Sequence, residues 1–219
     1  MKRIFSIITV LLLTASILKA TETDLVKDEK VKFKINEKVG DNELKFESKA
    51  PLEDFMGTVE SSQIKSTVTF NTKNIEKTSA MVKFPVKSMT TGISRRDGHM
   101  YGEDWLHAEK YPNIIFNLNS LNDIEFSENS NLKITLDATA KGEITVRGVT
   151  KSVTAPVNIV FLKESKLTKA RAAGHLLLVK GEFKLNLKEF NIQGKQDLIG
   201  NKVAENVNII MNLYYNTGA

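Results

Sequence analysis

Cysteine is absent from this chain of 219 residues, so structural disulfides, thiolate metal sites and a cysteine nucleophile are excluded. Proline is scarce, with only four residues. A strong charge of one sign is also missing, because 31 Lys and Arg residues face 26 Asp and Glu residues. Nucleic-acid binders usually carry clustered basic residues and a far larger basic excess. We therefore expect no nucleic-acid partner.

The residues that are present suit a folded chain. Apolar types make up 41% and charged types 26% of the sequence, as is typical of a folded domain. The sequence contains no Gly-x-Ser-x-Gly elbow, no phosphate-binding glycine loop and no dinucleotide fingerprint. We expect a single domain over residues 21–219 that is not an enzyme.

The first twenty residues have the pattern of a secretory signal. Lys2 and Arg3 precede an apolar run from Ile4 to Leu18, and Ala20 precedes a polar segment. The run is shorter than the roughly 20 apolar residues of a membrane-spanning helix. We predict a signal peptide over residues 1–20, cleavage after Ala20 and a periplasmic protein. An uncleaved signal anchor is the alternative.

Strict alternation of apolar and polar residues recurs along the rest of the chain and predicts half-buried β-strands. A shift of one residue would exchange the core and solvent faces, so each register is well specified. Long strands of this kind usually avoid open edges by closing into a barrel or a sandwich. The predicted strands lie near Val31–Ile35, Leu44–Ser48, Ile64–Phe70, Val82–Val86, Ile114–Leu118, Leu132–Ala140, Val153–Phe161, Phe183–Leu187 and Val207–Tyr215.

One segment, residues 94–111, predicts a helical connection between strands. Ser94 is suited to cap this helix and Pro112 to end it. Gly98 and Gly102 weaken it, so we expect a short or broken helix. Many strands with one helical crossover indicate an all-β, antiparallel fold.

Polar side chains concentrate on this crossing segment. Arg95, Arg96, Asp97 and His99 form a cluster in which Asp97 could hold a ring nitrogen of His99 or pair with an arginine. The cluster could contact the polar head of a ligand, or it could tie the segment to the barrel rim. A hydrolase that uses His99 and Asp97 is a less favoured alternative, because no serine partner is evident.

His99, Glu103 and His107 lie at positions i, i+4 and i+8, which would share one face of a continuous helix. Two imidazoles and a carboxylate could hold zinc with a water molecule. We favour a polar helix face instead, because the helix is expected to bend at Gly102. No metal is predicted.

Several motifs together resemble the YceI-like family, in their order and their spacing. The resemblance covers roughly Leu44 to Tyr215, nearly all of the predicted mature chain. The motifs are residues 92–97 with His99 and Trp105, residues 110–116, residues 142–151, residues 181–186 with 190–192, and an early hairpin with Gly57 and residues 64–70.

This resemblance implies an extended, lipocalin-like antiparallel β-barrel of about eight strands. It also implies an elongated apolar cavity that binds a polyisoprenoid lipid, such as an isoprenoid quinone, with no further cofactor. A homodimer and a transient contact with a membrane or a membrane redox protein are compatible with such a carrier. A ligand-free structural or interaction barrel is the alternative.

The predicted ligand site has two parts. The polar rim is the cluster of Arg95, Arg96, Asp97 and His99. Alternation alone would make the inward apolar residues an ordinary close-packed core, whereas the resemblance favours a cavity wall. The predicted wall consists of Phe84, Ile114, Phe116, Leu118, Ile134, Val146, Phe183, Leu185 and Ile209.

Overall fold

The computed structural model describes residues 30–72, 74–195 and 197–218. The predicted signal peptide, residues 1–20, lies outside these residues. The described chain is mostly strand, which confirms the predicted all-β class. The strands are β1 Lys30–Ile35, β2 Glu43–Lys49, β3 Asp54–Val59, β4 Lys65–Asn71, β5 Ser79–Pro85, β6 Met89–Thr90, β7 Asn113–Asn129, β8 Lys133–Val146, β9 Val149–Leu162, β10 Leu176–Asn186 and β11 Asn206–Asn216, and the α-helices are α1 Ser94–Tyr101 and α2 Lys166–Lys169.

Eight strands close into an antiparallel barrel, as predicted. The order around the ring is β1-β4-β5-β7-β8-β9-β10-β11, and β11 returns to β1 through the register pairs Lys34–Asn216 and Ile35–Tyr215. The other half of β11 pairs with β2 over residues 208–212, and β3 and β6 continue outward from β2. Closure satisfies the backbone groups that an open sheet would leave at its edges.

Three aromatic side chains fill one end of the barrel. The ring of Phe161 on β9 stacks on Phe70 of β4 at 5.8 Å between centroids and meets Phe33 of β1 edge-on at 6.1 Å. All three side chains have no solvent exposure. Because β9 lies across the barrel from β1 and β4, this cluster spans the interior. We call this end of the barrel the closed end.

The connection between β6 and β7 covers the opposite end, which we call the open end. The predicted short helix is confirmed as α1, which ends at Tyr101 and has Gly102 as its C-cap residue. Ile93 is the N-cap residue and has no capping side-chain hydrogen bond. The expectation that Ser94 caps the helix is therefore wrong, because Ser94 is already its first helical residue. No helix in the described ranges is long and apolar enough to cross a bilayer.

Two local expectations differ from the structure. Leu132 does not join the inward row of β8, because it lies in the turn before that strand and is 61% exposed. The backbone N–H of Ser130 donates to the carbonyl of Lys133 across this turn, at 2.8 Å. The list of predicted strands did not include β3 and β6, which lie beyond the barrel ring, and β6 has only two residues. Gly57, expected in an early hairpin with residues 64–70, lies in β3, which pairs with β2 and β6 instead of β4.

Candidate functional site: an apolar cavity

A cavity of about 890 Å³ occupies the barrel between the aromatic cluster and the open end. This volume lies in the upper part of the range of small-molecule pockets. Side chains from β2, β4, β5 and β7 to β11 form its wall, and most of them are apolar. The interior of the barrel is therefore packed at the closed end and hollow toward the open end.

Eight of the nine predicted wall residues line this cavity. Ile134 does not; it is fully buried and pairs in register with Phe161 at the closed end. Its inward direction was predicted correctly, but it belongs to the packed part of the barrel. Contact of the wall with a ligand stays a prediction. The eight lining residues are Phe84, Ile114, Phe116, Leu118, Val146, Phe183, Leu185 and Ile209.

Small inward side chains, which were not predicted to belong to the site, help to make the cavity. Ala140 on β8 and Ala155 on β9 are register partners, and both line the cavity together with Ala80 of β5. An alanine leaves space where a larger side chain would fill the lumen of an eight-stranded barrel. The sequence signal for this space was the presence of alanine at inward positions of long alternating strands.

A hydroxyl pair lies in the wall near the closed end. The phenolic oxygen of Tyr215 is 2.9 Å from Oγ of Ser66, and this Oγ donates to the carbonyl of Met81 at 2.8 Å. Burial raises the pKa of Tyr215 to about 12, although the Ser66 hydrogen bond acts in the opposite direction. The phenol is therefore neutral at physiological pH, and the inner end of the cavity carries no charge from it.

The open end carries most of the charged residues of the site. Arg95 and His99 of α1 line the cavity and are exposed. Arg96 also lines it; its guanidinium forms an ion pair with Glu53 and lies 4.6 Å from the centre of the Phe55 ring. This contact joins α1 to the turn between β2 and β3, so Arg96 helps to shape the opening.

Asp97, the fourth predicted rim residue, is buried and does not line the cavity. Its carboxylate accepts hydrogen bonds from the Thr91 N–H at 2.7 Å and from the Thr90 and Thr91 hydroxyls, each at 2.6 Å. Burial raises the pKa of Asp97, but these hydrogen bonds outweigh it and leave the pKa below its usual value. The carboxylate accepts from these threonines and not from His99, whereas the nearby charge of Arg96 also helps to lower the pKa of Asp97.

The helical spacing of His99, Glu103 and His107 is not realised. Because α1 ends at Tyr101, Glu103 and His107 lie in the turns that follow it. His107 has a left-handed backbone (φ 49°), and its ring packs edge-on against Tyr111 with centroids 5.7 Å apart. Over the described residues, no group of three or more His, Asp or Glu side chains is arranged to hold a metal ion.

Arg147 fixes the segments around the opening. It lies in the two-residue turn between β8 and β9, and its guanidinium donates to the carbonyls of Asn191 and Glu103, the latter at 2.9 Å. One side chain thus connects the end of β8 with the turn after β10 and with the segment after α1. The sequence analysis did not predict these hydrogen bonds of Arg147, because each acceptor residue is 44 positions away in the chain.

Closed eight-stranded barrels with a hollow apolar interior form the lipocalin-like class of β-proteins. Within that class, the chain belongs to the YceI-like family, whose domain matches residues 27–215. Protein YceI of Escherichia coli O17:K52:H18 is 30% identical over 127 residues, which are 58% of this chain and 59% of that protein. The match thus spans about three-fifths of the length of this curated relative.

Three solved structures share the fold. Burkholderia cenocepacia BcnA has a TM-score of 0.63 at 19% identity, covering 82% of this chain and 98% of BcnA. A polyisoprenoid binding domain from Saccharophagus degradans, implicated in plant cell wall breakdown, has a TM-score of 0.60 at 12% identity and coverages of 85% and 99%. The Campylobacter jejuni YceI protein has a TM-score of 0.55 at 18% identity and coverages of 73% and 83%. At these identities the similarity establishes the fold alone.

Proposed function

We propose that this protein is exported to the periplasm and sequesters a polyisoprenoid lipid, such as an isoprenoid quinone or another polyprenyl lipid. The observation that carries the proposal is the apolar cavity of about 890 Å³ inside a closed barrel. Membership of the YceI-like family supports it, as does the similar fold of a polyisoprenoid binding domain. Export rests on the pattern of residues 1–20.

Sequestration follows from the chemistry of the wall. A prenyl tail has no polar atoms and needs only a dry apolar surface, which stabilises it by roughly 25 cal/mol per Å² buried. The barrel holds the wall in place before the ligand arrives, so little conformational entropy is lost on binding. Arg95 and His99 line the opening, where a polar head group would meet them. The protein binds its ligand and does not transform it.

The binding test is native mass spectrometry of protein purified without detergent extraction, before and after incubation with a prenyl quinone. The variant Ala155→Trp places an indole in the cavity, next to Ala140. The matched control Thr154→Trp places the same side chain at an exposed neighbour on the same strand. We expect the added lipid mass in the native protein and the control, and its loss in Ala155→Trp.

Two outcomes would contradict this proposal. One is a native protein whose mass stays bare after incubation with prenyl quinones. The other is an Ala155→Trp variant that is folded by circular dichroism and binds as much lipid as the control. Export is tested separately by N-terminal sequencing of the periplasmic fraction, where we expect a protein that begins at Thr21; a retained Met1 would contradict cleavage.

A further inference from the structure

Exposed apolar side chains border the opening of the cavity. Ile93, directly before α1, lines the cavity and is nevertheless 51% exposed. Leu52, in the turn between β2 and β3, is 70% exposed. We propose that this rim is a membrane-docking surface, on which the open end of the barrel rests against a bilayer containing anionic lipids. This inference rests on the proposed function, because it describes how a lipid ligand reaches the cavity.

Backbone and side-chain contacts place Leu52 at the opening. Its N–H donates to the carbonyl of Asn201 at 2.9 Å, and the next residues of that loop, Lys202 and Val203, line the cavity. The residue after Leu52 is Glu53, which also lines the cavity and pairs with Arg96 of α1. Leu52 and Ile93 therefore belong to two segments that are joined across the rim.

The charges of the rim favour an anionic surface. Two ion pairs, Arg96 with Glu53 and Lys195 with Asp104, leave little net charge of their own. Three more exposed charged residues line the opening, Arg95, Lys202 and Glu103, and none has an ion-pair partner in the part of the chain that the structure describes, so the cations exceed the anions by one. Exposed apolar side chains with adjacent cations are the combination that binds to the interface of anionic bilayers.

A bilayer is also the partner that the proposed ligand suggests for this rim. A polyprenyl lipid is held in the bilayer by the apolar surface that it would expose to water on leaving. Because Ile93 is at once a wall residue and an exposed one, apolar surface continues from the cavity to the outside of the protein. Contact of this rim with the bilayer would let a tail pass from membrane to cavity without crossing water.

The closed end offers a matched control. Leu132 is 61% exposed and Leu167 is 85% exposed, so this pair is on average more accessible than Leu52 and Ile93 at the rim. The N–H of Lys163 donates to the carbonyl of Leu132 at 2.9 Å, which joins the turn after β7 to the segment that leads into α2. If any exposed leucine were enough for membrane binding, the closed end would bind membranes as well as the open end.

The experiment is vesicle flotation of the mature protein with phosphatidylcholine vesicles that do or do not contain phosphatidylglycerol. We compare the native chain with the rim variant Leu52→Asp/Ile93→Asp and with the control Leu132→Asp/Leu167→Asp. The rim variant should lose about tenfold or more of its vesicle partitioning, because two apolar anchors are removed. The control should partition as the native protein does, and Arg95→Gln/Lys202→Gln should reduce the preference for phosphatidylglycerol.

Equal partitioning of native protein and rim variant would overturn the inference, and so would an equal loss in the control. A rim substitution that converts a dimer to a monomer in size-exclusion chromatography, with no vesicle binding by the native protein, would assign the rim to self-association instead. If the native protein binds a prenyl quinone from dilute solution but does not float with the vesicles, membrane docking is refuted and the proposed function is not. Native protein that takes up no lipid by either route refutes the proposed function.

Discussion

The phenolic oxygen of Tyr215 lies 2.9 Å from the hydroxyl oxygen of Ser66, across the inner face of the barrel. Tyr215 belongs to β11 and Ser66 to β4, which flank β1 in the ring. The Ser66 hydroxyl already donates to the carbonyl of Met81, so the phenol is the donor to Ser66. This chain of hydrogen bonds gives each buried hydroxyl a partner.

Removal of the Ser66 hydroxyl should therefore lower the free energy of unfolding more than removal of the phenolic oxygen of Tyr215. Ser66→Ala leaves the buried Tyr215 hydroxyl without its partner, and we expect a loss of about 1–3 kcal/mol in the free energy of unfolding. Tyr215→Phe leaves Ser66 bonded to Met81 and should cost less. Urea unfolding of both variants measures the difference, and a larger loss in Tyr215→Phe would contradict this hydrogen-bond order.

Asp97 predicts a pH dependence of stability. Its folded-state pKa is lowered from the ordinary value of 3.8, so its contribution is complete above that value and is lost as the pH falls through the folded pKa. The native protein should therefore lose stability as the pH falls below about 4, because the unfolded chain binds a proton at this carboxylate more readily than the folded protein does. Asp97→Asn should lack this part of the pH dependence. It should also be less stable at neutral pH by about 2 kcal/mol, because the threonine donors lose their charged acceptor.

Urea midpoints measured from neutral pH down to about pH 2.5 test this expectation. The control is Asp41→Asn, which changes an exposed carboxylate in the turn between β1 and β2. The control should follow the native curve. If Asp97→Asn loses as much stability on acidification as the native protein, another group is responsible.

Two glycines near the opening should respond to alanine with opposite signs. Gly148 has φ +74°, and a Cβ there would lie 2.5 Å from Cε1 of Tyr111. Gly148→Ala should therefore destabilise by about 1–3 kcal/mol. Gly98 lies within α1, where a Cβ would have no atom within 4 Å. Gly98→Ala should stabilise by about 0.5–1 kcal/mol, because alanine is the better helix former. Thermal and urea unfolding measure both, and equal signs would contradict the assignment.

The aromatic cluster should dominate the stability of the closed end. Phe161 has no solvent exposure and contacts both Phe33 and Phe70. Phe161→Ala should cost about 3–5 kcal/mol, since it combines lost burial with a new void. Phe126→Ala removes the same side chain where it is 41% exposed, and should cost less than about 1.5 kcal/mol. Urea unfolding measures both variants, and a loss in Phe161→Ala as small as that expected for Phe126→Ala would contradict a stabilising role of the cluster.

The strands were predictable because period-two alternation is a local property. The inward row of β8, from Ile134 to Ala140, follows directly from its sequence. The division of that row into packed and hollow parts was not predictable. Ile134 is packed because Phe161, Phe70 and Phe33 meet across the lumen, and these residues are far apart in the chain.

The polar rim shows the same limit. The position of Arg95, Arg96 and His99 near the opening was predicted, because the crossing segment must cover an end of the barrel. The ion-pair partner of Arg96 was not predicted, because Glu53 is 43 residues away and belongs to a strand connection outside the ring. For Asp97, by contrast, a local signal existed: the threonines that bind it precede it by only six and seven residues.

The aromatic cluster at the closed end also has a consequence for the order in which the proposed ligand would enter and leave the cavity. A linear molecule that threads tail-first into a blind tube can leave only by reversing its path, so its head is last in and first out. The reactive end of such a cargo stays outermost throughout its residence. Any molecule that receives such a ligand would therefore meet the head before the tail is released.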